Sequence, residues 1–227
     1  MSATAKGKVE HAALTPVTLA GEAFLLDPAG VALHPESGSL VVADLHLEKA
    51  SHFAAYGQML PPYETRDTLR RLTTLVKAHA PRRIICLGDS FHHKNSRLAP
   101  DAAPLIAELA AGRQLIWIPG NHDPAPPPGV PGEAVEGFAL GKVQLRHEPV
   151  EGGVHEMVGH LHPALRLRGG RRKCFLLSEQ RLVLPAFGSL TGSLDAEDPA
   201  IARWFSGVKA QAFLLGAGRL YPVPLSL

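Results

Sequence analysis

The sequence predicts a mixed α/β fold in a single soluble domain, and three observations support this prediction. Apolar residues make up 45% and charged residues 19% of the 227 residues, which excludes an intrinsically disordered chain. The first half alternates short apolar runs with two helical patterns. The second half has short apolar runs with no long helix between them, and many of the 22 glycines and 20 prolines separate those runs.

Periodicity and turn residues place the elements. In the first half we expect strands at 23–26, 31–33, 40–43, 84–87 and 115–118. A helix opens at Pro61-Pro62 and stops before Pro81, and a second spans 101–111 with Asp101 as its cap. In the second half we expect strands at 134–140, 143–147, 156–158, 165–167, 173–178 and 182–184, a short helix at 198–205, and a closing hairpin of 211–215 with 219–223.

Domain organisation and compartment follow from composition. Residues 1–20 are expected to be a loosely ordered segment, and 21–227 a single domain, because no long polar linker divides them. The net charge of +2 permits a nucleic-acid partner without implying one. Cys86 and Cys174 both lie in apolar runs, which predicts buried free thiols. Because the sequence shows neither a signal-peptide pattern nor a membrane-spanning apolar stretch, the expected location is the cytoplasm.

Five short segments of potential metal ligands each follow a predicted strand. Since ligand sites in open α/β sheets form at the carboxyl ends of strands, these segments should converge. Carboxylate, imidazole and amide donors together suit Mn, Fe or Zn, whereas Mg or Ca sites are mostly oxygen. The segments are Asp44-Leu45-His46, Gly88-Asp89, Gly120-Asn121-His122-Asp123, His147 and Gly159-His160-Leu161-His162.

Taken together, these motifs resemble those of the calcineurin-like metallophosphoesterase superfamily. The chain is most similar to the bacterial DNA-ligase-associated, DNA-damage-response metallo-endonucleases. That closer resemblance rests on blocks between Ala43 and Gly192, among them Leu60-Pro61-Pro62-Tyr63-Glu64-Thr65, Gly88-Asp89-Ser90-Phe91-His92-His93 and Leu184-Pro185-Ala186-Phe187-Gly188-Ser189-Leu190-Thr191-Gly192.

The resemblance implies a fold and a ligand set. The fold would be a four-layer αββα sandwich of two mixed sheets flanked by helices. Two divalent ions are implied, Mn²⁺ first, with Fe or Zn as alternatives. One ion would take Asp44, His46, Asp89 and His162, and the other Asp89, Asn121, His147 and His160. Asp89 would bridge them, because a carboxylate has two oxygens to share between two cations.

Catalytic roles also follow from the resemblance. A hydroxide bridging the two metals would attack phosphorus in line. His122 would face the substrate and protonate the leaving oxygen, and Asp123 would orient its imidazole. His92 stands where many superfamily members carry Asp, so both a phosphate contact and structural support are open for it.

Other residues near the motifs carry weaker expectations. For Glu48 and Lys49 we expect a helix start or a surface position. Glycines in the late segment 184–192 would let its backbone approach the site. The basic residues after the last motif would be a solvated face or contacts to a DNA backbone, with Arg171, Arg172 and Lys173 as the candidates.

The predicted function is a DNA endonuclease of the dinuclear phosphodiesterase type, acting in DNA repair. The expected partners are DNA with single-stranded regions and, from the resemblance, a repair helicase, exonuclease or ligase encoded nearby. No membrane partner is expected. A small-molecule phosphatase or cyclic-nucleotide phosphodiesterase remains the alternative, although no insertion is long enough for a capping domain. A non-catalytic scaffold is disfavoured because the full ligand set is present.

Overall fold

The computed structural model describes residues 13–225 and 227, and in these the chain forms two β-sheets. The first sheet holds seven strands in chain order: β1 Thr15–Leu19, β2 Glu22–Asp27, β3 Val31–His34, β4 Ser39–Val42, β5 Arg83–Leu87, β6 Gln114–Ile118 and β7 Glu133–Ala134. Its first four strands are antiparallel, and β4 to β7 run parallel.

The second sheet is built from the rest of the chain. Its strands are β8 Phe138–Leu140, β9 Val143–Arg146, β10 Glu156–Val158, β11 Pro163–Leu167, β12 Gly170–Ser178, β13 Arg181–Val183, β14 Leu194–Asp195, β15 Ala210–Leu215 and β16 Leu220–Leu225. They lie in the order β14-β11-β12-β13-β10-β9-β8, and β15 pairs with both β12 and β16. Within this sheet β9, β10 and β13 are parallel neighbours.

Four helices and one 3₁₀ turn complete the described residues. They are α1 Lys49–Ala54, α2 Glu64–His79, α3 Ala103–Ala110, α4 Pro199–Ala202 and the 3₁₀ turn Arg203–Phe205. On α2, Leu69, Leu72 and Val76 recur at three-to-four spacing and are buried against the first sheet, as their periodicity predicts. None of the helices in the described ranges is both long and apolar enough to cross a membrane.

Three apolar clusters order these elements into layers. The first lies between the sheets and includes Phe24, Ile116 and Phe175. A second packs α2 and α3 on the outer face of the first sheet, and a third packs α4 and the 3₁₀ turn on the outer face of the second sheet. The prediction of two mixed sheets flanked by helices is therefore confirmed.

The parallel strands of both sheets deliver the metal-ligand motifs. In the first sheet β4, β5 and β6 end just before Asp44, Asp89 and Asn121. In the second sheet β9 ends just before His147 and β10 ends just before Gly159. The carboxyl ends of the two parallel groups meet, and the candidate centre lies there.

Several local expectations were wrong. Residues 15–19, within the segment expected to be loosely ordered, form β1, while residues 1–12 lie outside the described residues. The run 134–140 is two strands, one in each sheet, with the crossing at 135–137. The first long helix begins at Glu64, after the two prolines. Asp101 does not cap α3, which has Ala102 as its N-cap, and instead forms an ion pair with Arg66 at 3.5 Å.

Other local expectations hold. Asp198 caps α4, since its side chain accepts a hydrogen bond from the Ala200 N–H at 3.0 Å. Cys86 and Cys174 are buried free thiols.

Candidate metal centre

The ligand motifs use an unusual backbone conformation. Five ligand residues have positive φ between 45° and 65°, a region that side chains other than glycine rarely adopt. In the motifs Asp44-Leu45-His46 and His160-Leu161-His162 the central leucine is buried and holds the turn in the core. The flanking ligands are thereby turned together toward one point. The five are Asp44, His46, Asp89, His160 and His162.

Asp44, His46 and His162 form the first ligand cluster. His162 Nε2 lies 3.3 Å from Asp44 Oδ1 and 3.3 Å from His46 Nε2. Two ligand atoms about 2.1–2.2 Å from one ion are about 3.0–3.6 Å apart, so these separations fit a shared cation.

Asn121, His147 and His160 form the second cluster. The Oδ1 atom of Asn121 lies 3.0 Å from His147 Nε2 and 3.0 Å from His160 Nδ1, and the two ring nitrogens are 3.2 Å apart. His147 Nδ1 donates to the Leu87 carbonyl at 2.9 Å, which leaves Nε2 for an ion. The spacing again fits a single cation.

Asp89 lies between the two clusters and faces both with one oxygen. Its Oδ2 is 3.7 Å from His46 Nε2 and 3.4 Å from His147 Nε2. Its Oδ1 accepts the His122 backbone N–H at 2.9 Å. The sequence argument used both carboxylate oxygens for bridging, whereas this geometry assigns the position between the clusters to Oδ2 alone.

Burial and nearby charges shift the pKa values of two of the proposed ligand histidines in opposite directions. Burial lowers the pKa of His46 to about 3 despite the nearby carboxylates. Burial acts in the same direction on His147, but its hydrogen bond to Asp89 and the charges of Asp44 and Asp89 raise its pKa to about 9. Without metal, His46 is neutral at pH 7 and His147 carries a proton that an ion must displace.

Two glycines allow the loops to approach one another. A Cβ on Gly88 would lie 2.5 Å from the His147 ring, and Gly88 also has φ +70°. A Cβ on Gly120 would collide with the backbone and side chain of Asp89. Any larger residue at either position would push the two clusters apart.

His122 lies at the open side of the centre with its side chain 42% exposed. Its Nδ1 is 3.1 Å from the His92 carbonyl, and its Nε2 is 3.9 Å from Asp89 Oδ2. Nε2 is therefore the nitrogen on the side of the metal clusters, as a substrate-facing role requires.

Asp123 does not contact the His122 imidazole, so the predicted orienting role has no support in the geometry. Side chains of consecutive residues point in different directions here, and Asp123 is 4% exposed. Its Oδ2 accepts the Phe91 N–H at 2.8 Å, which ties the Asn121 loop to the loop after β5. Burial raises the pKa of Asp123 to about 7.

The His92 ring stacks between Phe53 and His122, with centroid distances of 5.4 Å to each. Its Nδ1 is 3.4 Å from Nδ1 of His46, the nitrogen that does not face the metal cluster. This contact fits the supporting role; a phosphate contact stays a prediction.

The basic residues after the last motif separate into different environments. Lys173 donates three hydrogen bonds to the late segment, to the carbonyls of Ala186 and Gly188 and to Thr191 Oγ1. Its ammonium is thus used inside the protein, and burial lowers its pKa to about 8. Arg171 and Arg172 are exposed, but consecutive strand residues point to opposite faces of a sheet.

The late segment clamps the first motif, as expected from its glycines. Phe187 N–H donates to the Ala43 carbonyl and Gly188 N–H to the Asp44 carbonyl, both at 3.0 Å. The expected helix start at Glu48 and Lys49 is confirmed, because Glu48 is the N-cap of α1. The surface position is wrong for Glu48, which is 2% exposed and accepts the Ala99 N–H at 3.1 Å.

Sequence reasoning missed an aromatic track that leads from the centre to a surface pocket. The His52 ring lies 5.2 Å from that of His92, 4.9 Å from His93 in a stack, and 5.2 Å from Tyr56. Tyr56 is 73% exposed. We call His122, His92, His52 and Tyr56 the aromatic track. The four-residue spacing of His52 and Tyr56 along the α1 segment was the available clue.

Comparison with known proteins agrees with this geometry. The family model described as calcineurin-like phosphoesterase matches residues 39–203. Among solved structures the chain is similar to the Pseudomonas putida nuclease MPE, with 31% sequence identity and a TM-score of 0.74 over 93% of this chain and 100% of that chain. No curated protein sequence gives a significant match. With two ligand clusters at the joined edges of its sheets and the family match across most of its length, the chain belongs to the calcineurin-like phosphoesterases, a family of metal-dependent hydrolases.

Proposed function

We propose that this protein is a dinuclear phosphodiesterase that cuts DNA internally. The observation that carries the proposal is the pair of ligand clusters with Asp89 Oδ2 between them, 3.7 Å from one cluster and 3.4 Å from the other. Two metal ions sharing a carboxylate are the arrangement used for in-line displacement at phosphorus.

The donor set supports two divalent ions, with Mn²⁺ as the proposed metal. Each cluster mixes imidazole nitrogen with oxygen, which suits Mn, Fe or Zn better than Mg or Ca. When bound, such ions supply an activated water nucleophile and neutralise charge on the phosphate. The seven ligand residues are proposed to be Asp44, His46, Asp89, Asn121, His147, His160 and His162.

His122 is proposed as the general acid. Its Nδ1–H is held by the His92 carbonyl, so the ring orientation is fixed before substrate binds. In the protonated imidazole, Nε2–H is free to pass its proton to the leaving oxygen as the phosphorus–oxygen bond breaks.

Three observations favour DNA over a small phosphate ester. Tyr56, exposed at the outer end of the aromatic track, gives an unpaired base a ring to stack on, and stacking of this kind is typical of single-strand binding. Arg171 is exposed on β12 and lies on the same strand face as Lys173, whose ammonium contacts the Gly188 carbonyl beside the Asp44 turn. The similar structure from Pseudomonas putida is a nuclease. From the sequence resemblance we further propose a role in DNA repair in the cytoplasm, beside a helicase, exonuclease or ligase encoded nearby.

The test is cleavage of circular single-stranded DNA with Mn²⁺, run beside a generic aryl phosphodiester. Wild-type protein should linearise the circle, which only internal cleavage achieves. His122→Ala should lose about 10²–10⁴-fold in turnover while retaining both metals, because general acid catalysis contributes about that factor.

Two outcomes would contradict the proposal. Loss of metal from His122→Ala in proportion to activity would make His122 a ligand or a structural residue. Rapid hydrolysis of the aryl diester with an intact DNA circle would favour the small-molecule phosphodiesterase.

A further inference from the structure

A third group of metal-ligand side chains lies far from the candidate centre. It consists of Glu22 at the start of β2, His34 at the end of β3 and Glu36 in the following turn. One ligand atom from each residue lies within 4.8 Å of the others. His34 pairs with Ser39, the first residue of β4, whereas Asp44 lies two residues after the last residue of β4. Five residues of extended chain place the group about 16 Å from the centre.

His34 presents a buried nitrogen to this group. The residue is 3% exposed, and its Nε2 has no hydrogen-bond partner among the described residues. Its Nδ1 lies 2.8 Å from Ser37 Oγ, which donates in turn to Ser39 Oγ at 2.8 Å. Ser37 therefore accepts the proton on Nδ1, and Nε2 of the neutral ring carries a lone pair.

Glu22 is held in the same way as Asp89. Its Oε1 accepts the Lys142 N–H at 3.1 Å, in the turn between β8 and β9 of the second sheet. Its Oε2 lies 3.6 Å from His34 Nε2, too far for a hydrogen bond and close to the separation of two ligands on one ion. By contrast, His79 Nε2 and Asp27 Oδ2, at 2.8 Å, form a direct hydrogen bond.

We propose that Glu22, His34 and Glu36 bind a divalent transition-metal ion such as Zn²⁺. Two carboxylates neutralise the ion, and the imidazole selects for Zn-type metals over Mg²⁺. Because Glu22 also holds the β8–β9 turn, the ion braces the two sheets at the end opposite the hydrolytic centre. The site is structural and independent of the proposed nuclease activity.

The test measures Zn²⁺ binding in His46→Ala/Asp89→Ala/His147→Ala protein, which lacks one member of each hydrolytic cluster and the carboxylate between them. This protein should bind one Zn²⁺ by calorimetry, and Zn²⁺ at about 100 times Kd should raise its unfolding midpoint by roughly 5–10 °C. Adding His34→Gln should weaken binding at least about 100-fold, since loss of a partner outside the ligand set already costs 10–100-fold. The exposed Glu36→Gln should also weaken it without risk to folding. The matched control His79→Gln should bind as before.

Metal analysis of the otherwise wild-type chain gives a second measurement. His34→Gln should lose one Zn²⁺ per chain and keep the ions of the hydrolytic centre, together with phosphodiester hydrolysis. The proposal is overturned if the triple variant retains no Zn²⁺, or if His34→Gln and Glu36→Gln bind Zn²⁺ as tightly as their parent.

Discussion

Arg171 and Arg172 are neighbours in sequence but should contribute very differently to DNA binding. On β12, Arg171 lies on the same face as Lys173, whose ammonium contacts the Gly188 carbonyl beside the Asp44 turn. Its NH1 donates to the Ser193 carbonyl at 3.2 Å, and its Nε is 3.9 Å from Asp195. Arg172 lies on the face of Cys174, which packs in the apolar cluster on the outer face of the second sheet. One arginine therefore faces the side of the site and the other does not.

The expected magnitude follows from counterion release. Losing one phosphate contact should reduce the slope of log K against log salt by about 0.7–0.9. The fall in DNA affinity between 50 and 200 mM salt should therefore be about threefold smaller than for the wild-type protein. Arg171→Gln should show this change, and Arg172→Gln, its matched control, should not. Fluorescence anisotropy with a labelled single strand would measure it, in a His122→Ala background that prevents cleavage. Equal changes in both variants, or no change in Arg171→Gln, would refute the argument from strand alternation.

Three further predictions concern the track and the metals. Tyr56→Ala should weaken single-strand binding by about fivefold or more, because base stacking contributes about 1–3 kcal/mol, and aryl phosphodiester hydrolysis should not change. The control Tyr221→Ala, on the distant β16 hairpin, should leave DNA binding intact. Asp89→Ala should lose both ions of the hydrolytic centre by metal analysis, and two retained ions there would remove its bridging assignment. The raised pKa of His147, about 9, keeps this residue protonated in the metal-free protein, so a metal ion must displace its proton. Calorimetry should therefore show metal affinity rising by up to about tenfold per pH unit from pH 6 to 9 and falling on acidification. A flat profile would contradict this.

The convergence of the proposed ligand residues was predictable from sequence because motif order and strand ends are both visible there. Apolar runs ending at Asp44, Asp89 and Asn121 indicate parallel strands whose carboxyl ends meet. The structure brings these residues together with the motifs that follow β9 and β10. Nothing in the sequence indicated the positive φ of the ligand residues, because none of the five is glycine.

Where prediction failed, the cause was reading contact in space from adjacency along the chain. Asp123 follows His122, yet its carboxylate points inward to the Phe91 N–H. Lys173 follows two exposed arginines, yet its ammonium binds the late segment 15 residues onward. In both cases side-chain direction alternates with the backbone, so a local run of similar residues serves different surfaces. The aromatic track was missed for the converse reason, since its members come from α1, from the turn after it and from two separate loops.

Three of the proposed ligands are oriented by a contact to the side-chain atom that faces away from the clusters. His147 Nδ1 is held by the Leu87 carbonyl at 2.9 Å, and Asp89 Oδ1 by the His122 N–H at 2.9 Å. His46 Nδ1 meets His92 at 3.4 Å. Each contact leaves the opposite atom of the same side chain directed inward, where the separations match a shared ion. Loop backbone and the His92 side chain thus set the direction of these three side chains, and Gly88 and Gly120 let the loops that carry them lie close together.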